Sequence, residues 1–194
     1  QPGYPQVVAE VRRLVAEVKA EIYLRIGEFR LEQQQPEQAL QYLKKSQELK
    51  PGIWETHLAL GRAYLATQAH KEAIGELQEV LRLSQDDQAS QAQAYQLLGE
   101  VFVAQQRSAA ATITWFERAA QLWMKEDRFE QAFQTYQRIV EVDPANTEAL
   151  ESLATLSTRL QLSPGQPTPP DLQVKGHFPA EEPQVVRIFK RRAE

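Results

Sequence analysis

The chain has 194 residues, a net charge of −4 and no cysteine. Disulfides and thiolate metal sites are excluded, and the acidic balance gives no support to nucleic-acid binding by the body. There is no run of about 18 apolar residues, so no segment of this chain is expected to span a bilayer. Gln supplies about one residue in eight, above ordinary usage, mostly within helical patterns, where it is a good helix former. Gly is scarce and Pro gathers toward the two ends, which favours an all-helical body. The chain begins with Gln rather than Met. It therefore reads as a piece cut from something longer, intracellular, with any membrane association supplied by a segment upstream of Gln1.

In chain order, residues 1–19 give a lead helix with Val8, Val11, Leu14, Val15 and Val18 at helical spacing. It is either a separate helix or continuous with the next one. The following two stretches repeat with a period of 34 residues: Gly27 and Gly61, Ile26 and Leu60, Ala39 and Ala73, Leu43 and Leu77. Each Gly reads as a small residue where a second helix crosses close by, with Ala39 or Ala73 as its small counterpart. A third unit begins at Ala92, four residues later than strict periodicity, the insertion lying in the polar loop "SQDDQASQ".

These residues resemble the tetratricopeptide repeat, a helix–turn–helix unit. With Ala20 as position one, Tyr23, Ile26, Gly27, Ala39, Leu43, Ser46 and Pro51 fall on the family's signature positions. Trp54 opens the second unit, with Leu60, Gly61, Tyr64, Ala73, Leu77 and Val80 in place and Gln85 where Pro is usual. The third has Tyr95, Leu98, Gly99 and Phe102. The resemblance implies an all-α, tetratricopeptide-type α-solenoid of antiparallel helical hairpins over residues 20–161, with about eight or nine helices.

After Phe102 the phase breaks, near residues 105–125. Trp115, Phe116 and Ala119 suit a second helix, yet Ile113 also starts a full match through Phe116, Ala119, Ala120, Trp123, Ala132, Tyr136, Ile139 and Pro144. Half a repeat is missing. The stretch Thr112–Lys125 is expected to close the third hairpin while keeping the marks of a lost first helix, with Trp115, Phe116 and Trp123 as packing residues. The turns "KEDR" and "VDPAN" then delimit three helices, 108–125, 128–142 and 146–161. The last has Ala149, Leu150, Leu153, Leu156 and Leu160 on one face as a cap. Residues 162–194 read as a Pro-rich linker and basic tail. Val185, Arg187, Ile188, Phe189, Lys190, Arg191 and Arg192 form a candidate docking segment.

No catalytic motif is present. His57 falls on a packing position, His70 in a turn and His177 in the tail. No enzyme activity, cofactor or metal is expected. The resemblance instead implies binding through the concave face of successive first helices. On that face lie Glu21, Leu24, Glu28 and Leu31, then Glu55, Leu58, Arg62 and Leu65, then Gln93, Gln96, Glu100 and Val103. The result is an apolar ladder edged mostly by Glu. Leu24, Glu28, Ala59, Gln93 and Leu97 stand where the chaperone-tail binders of the family carry a cationic clamp, so an acidic peptide terminus is not the expected ligand. The expected partner is a protein segment, amphipathic or basic and apolar, with no nucleic acid; a homo-oligomer through the tail or end helices is a second expectation. Gln richness is similar to that of tetratricopeptide proteins of cyanobacteria and chloroplasts that assemble photosystems. A non-enzymatic scaffold or assembly factor, in the biogenesis of photosynthetic complexes at thylakoid membranes, is the leading expectation; an adaptor domain of a larger bacterial regulatory or secretion protein is the alternative.

Overall fold

The computed structural model describes residues 3–161, which form eight helices: α1 (Tyr4–Glu32), α2 (Pro36–Leu49), α3 (Trp54–Ala66), α4 (His70–Leu83), α5 (Gln88–Ala104), α6 (Ala109–Lys125), α7 (Phe129–Val142) and α8 (Thr147–Gln161). The linker and the tail segment Val185–Arg192 lie outside the described residues. The chain divides into two compact units, Gln1–Gln106 and Arg107–Glu194.

In the first unit the lead helix and the first repeat helix are one. Nothing between Tyr4 and Glu32 breaks the helix: Pro5 sits in the first turn, where its missing N–H costs nothing, and Gln6 Oε1 accepts the Gly3 N–H at 3.0 Å. α2 packs along the C-terminal part of α1, α4 packs along α3, and α3 lies against both α1 and α5. The turn from first to second helix recurs with one geometry. Gln34 and Gln68 adopt φ of 56° and 61°, and the residue after each reaches back to the last turn, Gln35 N–H to Arg30 O at 2.9 Å and Ala69 N–H to Tyr64 O at 2.8 Å. These hydrogen bonds satisfy the orphan carbonyls of the helix end. The return turn uses the opposite device. Lys50 precedes Pro51 and is extended, at φ −147° and ψ 89°, as the pre-proline residue must be.

The core shows what the conserved spacing of Gly and Leu does. A Cβ on Gly27 would lie 2.5 Å from Leu43 Cγ and Cδ2, and one on Gly61 would lie 2.8–2.9 Å from the same atoms of Leu77. The glycines therefore admit a fully buried Leu from the second helix, sixteen residues on, rather than matching Ala39 or Ala73 as the spacing alone suggested. Ala39 and Ala73 are themselves completely buried. Around Leu43 gather Leu24, Ala39, Ala59, Leu60 and Ala63. A buried hydroxyl pair ties three helices together: Ser46 Oγ donates to Ala20 O at 2.8 Å and meets Thr56 Oγ1 at 3.0 Å.

The second unit holds α6, α7 and α8. α6 ends as α1 and α3 do, with Asp127 at φ 55° and the Arg128 N–H donating to Trp123 O at 2.9 Å. It packs along α7, and α7 along α8. Within this unit α6 is thus the first helix of a hairpin, and the frame starting at Ile113 is the one the packing follows. Phe116 and Trp123 are buried, while Trp115 is only half-buried. The core consists of Ile113, Phe116, Ile139, Val140, Ala149 and Leu153. Asp143 precedes Pro144 in extended geometry, and Asn146 Oδ1 caps α8 by accepting from the Ala149 N–H at 2.9 Å.

Gly61→Ala is expected to destabilise the first unit, because overpacking a closed core costs about 1–3 kcal/mol and the helix-propensity gain returns about 1 kcal/mol. Gly75 on α4 has nothing within 4 Å of an added Cβ, so Gly75→Ala should stabilise by up to about 1 kcal/mol. Urea unfolding followed by circular dichroism checks both, and the opposite signs are the informative result.

Candidate functional site

Because α3 lies against both α1 and α5, the first helices of the first unit share one surface. A cleft of ≈ 490 Å³ opens there. Glu28, Leu31 and Glu32 of α1 form one wall, Trp54, Glu55, Leu58, Ala59 and Arg62 of α3 the other, and Gln93 of α5 contributes to the lining. Six of the twelve residues expected on the binding face are gathered here: Glu28, Leu31, Glu55, Leu58, Arg62 and Gln93. Glu21, Leu24 and Glu55 border a second recess with Leu14, Val18 and the Lys50–Ile53 turn. Leu65, Gln96, Glu100 and Val103 line neither.

The expected apolar ladder needs correction. Leu24 and Leu58 are buried, at 3% and 7% exposure. Leu24 belongs to the core around Leu43, and Leu31 leans partly on the same cluster. With so little surface left, these leucines form floor more than contact surface. The half-buried Trp54 takes over as the large apolar group on the rim. Its sequence signal was its place at the very start of α3, one turn ahead of Leu58 on the same helix face.

Charge in the cleft is one-sided. Glu28, Glu32 and Glu55 face a single guanidinium, Arg62. Glu28 is partly compensated by Arg25, whose Nη1 lies 2.9 Å from Glu28 Oε2 on the exposed surface of α1. An exposed pair of this kind contributes little to stability and leaves the carboxylate accessible.

Behind the cleft wall sits the one internal ionic network of the first unit with a perturbed histidine. His57 is buried; its Nδ1 lies 2.6 Å from Glu76 Oε2 and its Nε2 lies 2.8 Å from Pro51 O. Both neighbours are acceptors, so both ring nitrogens must donate and the imidazolium form is favoured. Gln47 Nε2 donates to Glu76 Oε2 at 3.2 Å. The hydrogen bond to Glu76 holds the His57 pKa above its usual value against the opposing effect of burial. His57 is therefore a satisfied core residue that joins the α2–α3 turn to α4.

The second unit has its own small notch, lined by Glu117 and Gln121 of α6, Tyr136 and Ile139 of α7, and Asn146, Glu148 and Ala149 at the start of α8. Burial, and then the nearby Glu148, push the Glu117 carboxyl above the usual range. This notch was not anticipated, because the phase break hid the role of α6 as a first helix. Among the described residues, no group of three or more His, Asp or Glu could hold a metal ion, and no helix is long and apolar enough to cross a membrane.

The tetratricopeptide repeat family model matches residues 30–98. No curated protein matches the chain. Among solved structures, the chain is similar to the first tetratricopeptide domain of Spaghetti (RPAP3) bound to the HSP90 peptide SRMEEVD, at 19% identity over 75% of this chain and 95% of that one, TM-score 0.43. It is also similar to MamA (residues 41 to the end) from Desulfovibrio magneticus RS-1, at 19% identity over 74% and 86%, TM-score 0.46. A third is YrrB, a tetratricopeptide protein with an unusual peptide-binding site, at 16% identity over 82% and 84%, TM-score 0.46.

The His57–Glu76 pair sets a pH dependence. The folded pKa of His57 is raised, so its contribution is fully present below the unfolded value of about 6.5 and is lost as pH rises through the folded value. Amide-exchange protection of α3 should fall as pH rises through the folded pKa after correction for the intrinsic exchange rate, and His57→Gln should flatten that dependence.

Proposed function

We propose that the first unit is a non-enzymatic protein-docking module whose α1–α3 cleft receives a segment with apolar anchors and Lys or Arg. One observation carries the reading: three carboxylates and one guanidinium surround a cleft with Trp54, Leu31 and Leu58 in its lining. Such a site attracts cations at its rim and offers apolar area between them, the combination that recognises amphipathic helices or extended basic peptides. It does not fit an acidic peptide terminus, which would meet Glu28, Glu32 and Glu55. The segment Val185–Arg192 of this chain has the required character by sequence, with Val185, Ile188 and Phe189 among Arg187, Lys190, Arg191 and Arg192.

A catalytic role draws no support from the geometry, since the perturbed histidine is spent on Glu76 and Pro51. The finer expectation of photosystem assembly rests on Gln content and on an anchor upstream of Gln1, and neither the cleft nor the comparisons add to it. They add nothing either to an adaptor role within a larger regulator or secretion protein.

A synthetic peptide of sequence QVVRIFKRR tests the proposal directly. It should bind a chain truncated after residue 161, weaken with added salt, and lose at least about tenfold in affinity on Glu28→Lys with Glu55→Lys, roughly 1.4 kcal/mol. An acidic peptide of equal length should not bind. Equal binding by the charge-reversed variant would remove the cleft as the site. Leu58→Arg is unsuitable for this purpose, because Leu58 is buried and the change would unfold the wall it is meant to probe.

A further inference from the structure

α1 has two apolar faces. Ala20, Leu24 and Gly27 are buried against the unit. On the opposite face Val7, Val11, Leu14, Val15, Val18 and Ile22 are each 46–58% exposed. Most of the exposed large hydrophobic residues among the described ones belong to this helix. They follow one another in steps of three and four, so they form a continuous stripe. α2, with 14 residues against 29 in α1, is too short to cover this length; Leu14 and Val18 border the recess at the α2–α3 turn, and Val7, Val11, Val15 and Ile22 line neither recess.

We infer that this stripe is a self-association seam, occupied by the same stripe of a second copy in a parallel, two-fold pairing. Three features identify a second copy as the occupant. The first is spacing: Val11 and Val18 fall on a positions and Val7 and Leu14 on d positions of a heptad whose next d position is Glu21, and β-branched a residues with Leu at d favour two parallel strands. The second is charge. In this register Glu10 and Glu17 fall on g positions, Val15 and Ile22 on e positions, and Arg12 and Lys19 on the b positions beside them. A parallel two-fold pair sets the g side of each helix along the e and b side of the other, whereas an antiparallel pair would set Glu against Glu. The mixed signs also differ from the Lys- and Arg-rich polar face by which an amphipathic helix settles on an anionic membrane. The third is area. The six aliphatic residues leave about 500 Å² per copy open, about 1,000 Å² for a pair if wholly covered, which is the size of a weak, reversible interface rather than a permanent one. The seam ends where Arg25 takes the next a position and is held by Glu28 at 2.9 Å. No residue of the stripe lines the α1–α3 cleft.

Sedimentation equilibrium of the full chain at high micromolar concentration tests this, with the 22.2 kDa monomer as reference. The expected result is a reversible dimer that Val11→Glu with Val15→Glu converts to monomer while helicity is kept; neither residue lines a recess. Orientation is read on an otherwise native chain. The protein contains no Cys, so Val11→Cys should oxidise to a disulfide-linked dimer, as parallel pairing in register brings the two Val11 positions together, whereas antiparallel pairing over the whole stripe sets Val11 opposite Val18. A monomer at every concentration would overturn the inference, as would a dimer unaffected by the double substitution. Binding of a monomeric chain to vesicles of phosphatidylcholine and phosphatidylserine would assign the stripe to a lipid surface and overturn it as well.

Discussion

The close approach of first and second helices at Gly27 and Gly61 is the constraint from which the first unit is built. Each glycine removes one methyl group at a point where a fully buried Leu of the next helix must stand. That contact fixes the separation of the helix pair, and the separation fixes which residues of the first helices fall inside. Leu24 and Leu58 are swallowed, and the residues one turn away, Glu28, Leu31 and Glu55, are left to face outward. The Ser46–Thr56–Ala20 link then holds the two hairpins at the distance that opens a cleft between α1 and α3. A larger residue at either glycine would alter the wall of the cleft before it altered the residues proposed to meet a ligand.

Function follows from the same division of labour. Apolar side chains are committed to holding helices together, and the groups left at the cleft are carboxylates, one guanidinium, amides and a tryptophan. Those groups suit the recognition by charge and apolar area on which the proposed docking role rests. The buried His57 serves the scaffold, since its two ring nitrogens are taken up by Glu76 and by the Pro51 carbonyl that defines the α2–α3 turn.

Much of this was legible from the residues. The period of 34 positioned α1 to α4, and the turn residues Pro51, Asp143 and Pro144 placed helix ends to within a residue or two. The dual character of Thr112–Lys125 was visible too, and packing within the second unit selects the frame that begins at Ile113. Other features were hidden for physical reasons. Periodicity tells which face of a helix a residue occupies, but not how near the next helix comes, so Leu24 and Leu58 read as surface when they are core. The turn residues Gln34, Gln68, Gln106 and Asp127 all adopt positive φ without the glycine that usually advertises such a position. The lead helix was legible as a helix with Val8, Val11, Leu14, Val15 and Val18 at helical spacing, but sequence alone cannot say that Ala20, Leu24 and Gly27 supply the buried face of one continuous α1.

The continuity of α1 sets a phase relation between two surfaces that have no contact with each other. Glu28 and Leu31 on one part of the helix form a wall of the cleft, and Val11 and Val15 on another part form the outer stripe. Both are carried on a single hydrogen-bonded rod roughly 40 Å long. One residue inserted between Lys19 and Glu21 would turn the stripe by about 100° about the rod relative to the cleft, although every side chain of both surfaces would still be present. An insertion of seven would nearly restore the angle and only lengthen the rod. The spacing of this helix therefore encodes the direction in which whatever meets its outer face is presented to whatever fills the cleft.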